Sequence, residues 1–276
     1  MSEFAQSGIL WYTFDLRLGT GIFLFFVGIA AGTLNSLAGG GSFVSFPSLL
    51  FTGMPPVEAN ATNTVALWPG LAASVFAYLK RLNSPLRLLV PLVLTSIIGG
   101  VAGALLLIKT PQHTFSRLVP WLLLGGTLLF AFGPQIRNRL GKTSTADGAV
   151  RTSPPALTFA SLLQLAVGTY GGYFGGGIGF VMMGMMAAVG MKDIHAMNAL
   201  RTLLAGVINF VAVATFIMAG AVFWPQCLAM LAGALIGGWY GARYAQKADP
   251  KKLRYFVIGT GLAMSAYFFI SAAVRK

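Results

Sequence analysis

Charge is scarce in this sequence, and negative charge scarcer still: 9% of the 276 residues are charged, and only six are Asp or Glu. With 56% of the chain hydrophobic, most segments have no polar face to turn toward water, which excludes a soluble fold. Cysteine is reduced to Cys227, so neither an internal disulfide nor a cysteine metal cage can form. His113 and His195 are far apart and lack a partner at ligand spacing, so no metal and no cofactor is expected. The apolar segments also lack paired acids and a nucleophile triad, which argues against an enzyme. No basic region leads the first apolar run, which Glu3 and Asp15 precede, so that run is expected to stay as a membrane segment.

What is present is apolar length and glycine. Eight long apolar segments lie at about 20–38, 59–79, 86–108, 115–132, 156–173, 194–219, 225–244 and 253–274. Crossing a bilayer core takes roughly 20 helical residues, and these runs are continuous where a barrel would alternate. Two shorter apolar stretches, 43–51 and 178–189, each follow a triple glycine and read as half-helices. The formal charge of +13 suggests nucleic acid until its placement is considered. Almost all Lys and Arg stand between apolar runs, where they favour cytoplasmic retention and meet anionic lipid, so no nucleic-acid partner is expected.

The two triple glycines anchor an internal duplication. Gly39-Gly40-Gly41 matches Gly175-Gly176-Gly177, Gly32 matches Gly168, and Gly53-Met54 with Ala59 match Gly190-Met191 with Ala196 after a one-residue shift. The expected organisation is a first transmembrane repeat over 1–134, a cytoplasmic linker over 135–155 and a second repeat over 156–276. Gly141-Lys142-Thr143 in the linker lacks the earlier glycine and the strand of a P-loop, and Gly177-Ile178-Gly179 lacks the third glycine of a dinucleotide fingerprint.

Three connections are strongly basic: Lys80, Arg81 and Arg87; Arg137, Arg139, Lys142 and Arg151; and Arg243, Lys247, Lys251, Lys252 and Arg254. All three fall on the cytoplasmic side only if the segment after each triple glycine also reverses the chain. Each repeat then holds an odd number of segments, and the two have inverted topology. The expected fold is all-α and membrane-integral: two inverted-topology repeats, each with a glycine-broken re-entrant or short helix hairpin plus three spanning helices, about eight long and two short membrane segments in all. Lys109, Arg117, Arg275 and Lys276 oppose this orientation but are outnumbered.

Non-helical backbone inside a bilayer needs protein or a water-filled cavity to satisfy it, so a triple glycine there marks a cavity. Helices beginning near Ser42 and Ile178 would present free N–H groups and positive dipole ends, a site for an anion. By contrast, the pairs Gly28/Gly32, Gly99/Gly103, Gly233/Gly237 and Gly237/Gly241 read as helix-packing contacts. Polar residues recur where each half resumes: Asn60, Thr62, Asn63 and Thr64 in the first, Asn198, Arg201 and Thr202 in the second. They suit substrate contact or, equally, capping and bonding between helices. Arg201 lies within an apolar span, where a guanidinium faces the interior and pairs an oxyanion, or snorkels to the surface. Glu58 and Asp193 are candidates for proton coupling or stabilise the starts of their helices. Asn35, Tyr170 and Tyr173 complete the expected lining.

The stretch Gly32-Thr33-Leu34-Asn35-Ser36-Leu37-Ala38-Gly39-Gly40-Gly41-Ser42, then Pro47, Gly53-Met54-Pro55-Pro56 and Ala59-Asn60-Ala61-Thr62-Asn63, resembles the first repeat signature of the TauE/SafE sulfite exporter family. Its second copy is Gly171-Gly172-Tyr173-Phe174-Gly175-Gly176-Gly177-Ile178-Gly179, then Gly190-Met191 and Ala196 to Thr202. The resemblance implies a bacterial-type inner-membrane permease, an exporter in some members, for sulfite, sulfonates, thiosulfate and related sulfur anions. The halves differ at Asn198-Ala199, where the first has Ala61-Thr62, so the second site would contact substrate differently. The expected partners are that small anion, membrane lipid and, in a homo-oligomer, a second copy of the chain. The expected mechanism is alternating exposure of a midplane site; a passive anion channel, or a carrier of another oxyanion or a carboxylate, is the alternative. The inverted arrangement puts both termini outside, so a cytoplasm-dependent fluorescent reporter fused after Lys276 should be dark; a bright fusion overturns the topology.

Overall fold

In a computed structural model, which describes residues 18–38, 40–79, 82, 84–142, 153–191, 193–244 and 250–274, every described element is a helix. They run α1 Leu18–Ala38, α2 Ser42–Phe51, α3 Pro56–Leu79, α4 Leu86–Lys109, α5 Gln112–Lys142, α6 Pro154–Tyr173, α7 Ile178–Ala188, α8 Ile194–Met218, α9 Trp224–Tyr244 and α10 Pro250–Val274. Gly39, Glu3, Asp15, Lys80, Arg81, Arg151, Lys247, Arg275, Lys276 and the linker centre 143–152 lie outside the described residues.

The half-helices begin where the glycines end. α2 has 10 residues and α7 has 11, so at 1.5 Å per residue each reaches about half the ~30 Å hydrocarbon core. Each is stopped in the same way: Gly53 after α2 and Gly190 after α7 adopt φ of 85° and 96°, a left-handed turn that glycine enters without a Cβ clash. Four helices are long and apolar enough to cross a membrane, over Leu18–Asn35, Leu86–Lys109, Gln112–Gly133 and His195–Met218, with mean hydropathy from 1.5 to 2.2. α3, α6 and α9 have the length, but Asn60, Asn63, Gln164, Gln226 and several glycines lower their apolarity. Those polar side chains point inward, with Asn60, Asn63, Gln164 and Gln226 all buried. α5 continues to Lys142, so the start of the expected linker is helical.

Glycine sets how the helices meet. A Cβ added at Gly28 would strike the Met230 carbonyl, and at Gly32 the Ala234 carbonyl; in return, Gly233 and Gly237 sit on the carbonyls of Phe25 and Ile29. Thr33 Oγ1 bonds across this α1–α9 seam to Gly237 O at 3.0 Å. The α4–α6 seam has the same construction: Gly99 and Gly103 face Leu165 and Thr169, Gly172 faces Gly100, and Gln164 Nε2 donates to Ser96 Oγ at 2.8 Å. The pairs Gly28/Gly32, Gly99/Gly103 and Gly233/Gly237 therefore pack as their spacing implies, and Gly168 and Gly172 join them. Only the helical backbone of Gly241 is described.

Contact partners advance together along both seams, so α1 and α9 run parallel, as do α4 and α6. α3 and α8 run antiparallel: Trp68 packs at a tilt against Phe210 and Val75 meets Gly206. α5 and α10 are also antiparallel, through Trp121 against Phe269 and Thr127 against Gly261. Exchanging the first five helices for the last five maps α1–α9 onto α6–α4, and α3–α8 and α5–α10 onto themselves. Gly103→Ala forces α4 away from Thr169 O and should destabilise the protein by about 1–3 kcal/mol. Gly259 has nothing within 4 Å of an added Cβ, so Gly259→Ala should be neutral or stabilising by up to about 1 kcal/mol. Thermal unfolding of the purified protein checks both.

Candidate functional site

A glycine break can hold an anion only if its helix N-terminus is open, and the two breaks differ in this. At α2, Phe43 N donates to Gly40 O and both Val44 N and Ser45 N to Gly41 O, so the first turn winds back onto its own glycines. Gly41 is right-handed, with φ −57°, and packs against Ala31 and Asn35 of α1. At α7, Gly175 and Gly177 take positive φ of 83° and 79°, a path closed to other residues without strain. Among the described residues, no backbone carbonyl accepts from Ile178 N or Gly179 N, and no side chain caps the helix.

Arg201, on α8, supplies the charge beside that open turn. A methyl carbon built at Gly179 would lie 2.8 Å from Nη1 of Arg201 and 3.1 Å from its Cδ, so glycine at the second residue of α7 is what lets the guanidinium lie there. The guanidinium is deep among protein atoms, while the residue as a whole keeps some accessible surface. Among the described residues no hydrogen bond or ion pair reaches it. A cation beside the positive end of a helix dipole is unfavourable unless an anion lies between them. The arrangement is therefore suited to binding an oxyanion, with Arg offering paired N–H donors and α7 its free backbone N–H groups.

The halves meet at the breaks. A Cβ at Gly126 of α5 would lie 3.2 Å from both Gly176 O and the Phe43 ring, and one at Gly177 would lie 2.7 Å from Gly126 O. Gly40 abuts Val257 of α10. Phe43 thus carries the start of α2 to the second glycine cluster, and small residues on α5 make room for it. Buried Ser45 donates to Asn63 Oδ1 at 2.5 Å, joining α2 to α3 as Gly179 and Arg201 join α7 to α8.

Other residues expected in the lining have protein partners. Asn60 Nδ2 donates to Tyr173 O at 2.9 Å, and Thr62 Oγ1 accepts from Phe223 N at 3.0 Å. Thr64 and Thr202 bond back to the carbonyls of Asn60 and Asn198. Tyr173 packs on Phe115, and its hydroxyl reaches Thr110 Oγ1 at 3.4 Å. Ser42 is partly exposed at the start of α2, whereas Ile178, which opens α7, is buried. Glu58 accepts from Gln112 Nε2 at 2.6 Å, and Asp193 caps α8 by accepting from His195 N at 2.8 Å, so both acids sit at helix starts. Tyr170 borders two apolar grooves of about 440 and 550 Å³, on its α5 and α4 sides. Lined by Trp121, Leu128, Phe132, Leu106 and Leu162 among others, they face outward, where acyl chains lie, and Arg201 lines neither. Gly179, Ser45 and Gly126 were missed in the expected lining; for Ser45 the available signal was a pair of serines, Ser45 and Ser48, inside the apolar run 43–51.

A family model described as sulfite exporter TauE/SafE matches residues 24–268. The chain is 30% identical over 252 residues to a probable membrane transporter protein, ORF9, of a Sinorhizobium species, covering 91% of this chain and 93% of that one. It is 28% identical over 256 residues to a probable membrane transporter protein of Haemophilus influenzae, covering 91% and 95%. It is 28% identical over 244 residues to the probable membrane transporter protein YfcA of Escherichia coli strain K12, covering 88% and 87%. No solved structure shows a significant match. Ser45→Ala strips the buried Asn63 carbonyl of its donor and should lower stability by about 1–3 kcal/mol. Ser45→Ala with Asn63→Leu should recover much of that loss in the same thermal unfolding assay.

Proposed function

Because the chain belongs to the sulfite exporter TauE/SafE family, we propose that it is a secondary transporter of sulfite, an organosulfonate or a related sulfur anion, moved by alternating exposure of one site without ATP. The observation that carries this is Arg201 laid over Gly179 at the uncapped start of α7, with no acid to neutralise it among the described residues. Around it we place Ile178, Gly175 to Gly177, Asn198 and Thr202, with Tyr170 and Tyr173 behind the break. The first half contributes Asn35, Gly39 to Gly41, Ser42, Asn60, Thr62 and Asn63. The repeats over 1–134 and 156–276 are read as inverted, with the linker 135–155 cytoplasmic. What supports that reading is that the equivalent helices α3 and α8, and α5 and α10, run antiparallel. The bacterial relatives support an inner-membrane location. Export as the direction follows the family's description.

Uptake of sulfite, thiosulfate, sulfoacetate, taurine and sulfate into liposomes, with and without a proton gradient, tests the substrate class. The same assay checks proton coupling at Glu58 and Asp193: loss of the gradient dependence in Glu58→Gln or Asp193→Asn assigns it to that acid, and unchanged transport leaves both as helix-start stabilisers. A charge-assisted hydrogen bond contributes about 1.5–3 kcal/mol, so Arg201→Gln should weaken apparent affinity roughly tenfold or more. A folded Arg201→Gln protein with normal transport assigns Arg201 to snorkelling. Single-channel current without acceleration by anion on the far side would identify a passive channel instead.

A further inference from the structure

The reading of Arg201 as the substrate's counter-charge has a consequence for the transport cycle. The described residues hold two acids, Glu58 and Asp193, and both are engaged at helix starts by Gln112 and the His195 N–H. The other acids, Glu3, Asp15, Asp147 and Asp249, lie outside the described residues and outside every long apolar run. Nor does the first half compensate. In the register that matches Ala59 to Ala196, the place of Arg201 is held by Thr64, which is neutral and donates its hydroxyl to the Asn60 carbonyl. Among the described residues, an empty site therefore holds a guanidinium and a helix dipole of the same sign with no fixed counter-charge.

From this charge balance we infer that the protein is a strict exchanger, carrying one anion outward only when another returns. Closing and re-exposing the site moves Arg201 through a low-dielectric, desolvated state. With an anion bound, the charge travels neutralised; empty, the guanidinium crosses uncompensated, at a cost that rises steeply away from water. The loaded carrier reorients and the empty carrier stalls, so the occupied site is the only one that cycles.

Efflux from liposomes tests this on the full-length protein. Vesicles are loaded with a radiolabelled anion of the panel, sulfite first, with valinomycin and potassium holding the membrane potential at zero. They are then diluted into the same unlabelled anion or into impermeant gluconate. The exchanger should release label at least tenfold faster into the matching anion. Equal rates overturn strict exchange while leaving the transport reading intact; no movement of any panel member overturns both. Arg201→Lys keeps the charge and should keep the dependence on external anion. Arg201→Gln, compared at anion concentrations raised to offset its weaker binding, should lose it, the ratio of exchange to net efflux falling toward one. A folded Arg201→Gln that retains the full tenfold dependence overturns the proposal.

Discussion

Two glycine seams hold this fold together. At α1–α9 and α4–α6 the backbones approach so closely that a single added methyl would strike a carbonyl of the facing helix. Lipid tails are as apolar as leucine, so burial of apolar surface cannot drive helices together within a bilayer; close van der Waals contact and hydrogen bonds across the helices do. Each seam joins one half of the chain to the other, since α1 and α4 precede the linker and α6 and α9 follow it. Thr33 and the Gln164–Ser96 pair fasten the seams with polar bonds that water does not contest.

With the seams in place, α1 and α6 end where α2 and α7 must begin, and the glycine breaks fall against α5 and α10. Gly126 on α5 is small enough to admit both Phe43 and Gly176, and Val257 on α10 closes over Gly40. The two breaks have equivalent places in the fold but different chemistry. The first is wound shut by its own carbonyls and backed by the neutral Ser45–Asn63 pair. The second is left-handed, uncapped and faced by a guanidinium. Two equivalent places in the fold thereby differ in charge, and in the exchange cycle inferred above the uncompensated guanidinium makes an empty return step costly.

Legibility followed the strength of the local signal. Triple glycine inside an apolar run announced the starts of α2 and α7 at Ser42 and Ile178, because three adjacent residues without side chains cannot sustain a helix that lacks water to satisfy it. Four-residue glycine spacing announced three of the packing pairs. Gly168 and Gly172 read only as part of the repeat, since one chain cannot say which helix a glycine faces. Eight long apolar spans were expected; among the described residues four helices are long and apolar enough to cross a membrane by composition, while α3, α6 and α9 carry buried polar side chains inside the bundle.

Composition and run length determined by themselves that this chain is helical and membrane-embedded, since a bilayer permits few other ways to satisfy a backbone. The Arg201 side chain was conspicuous for the same reason: a charge in an apolar run demands an explanation. Only the tertiary structure decided what it faces. Gly179 makes room for the guanidinium, Asn60 and Thr62 turn to the backbone at Tyr173 and Phe223, and Glu58 and Asp193 bond at helix starts. Those pairings join residues distant along the chain, so they depend on how the seams set one helix against another, which no local pattern encodes.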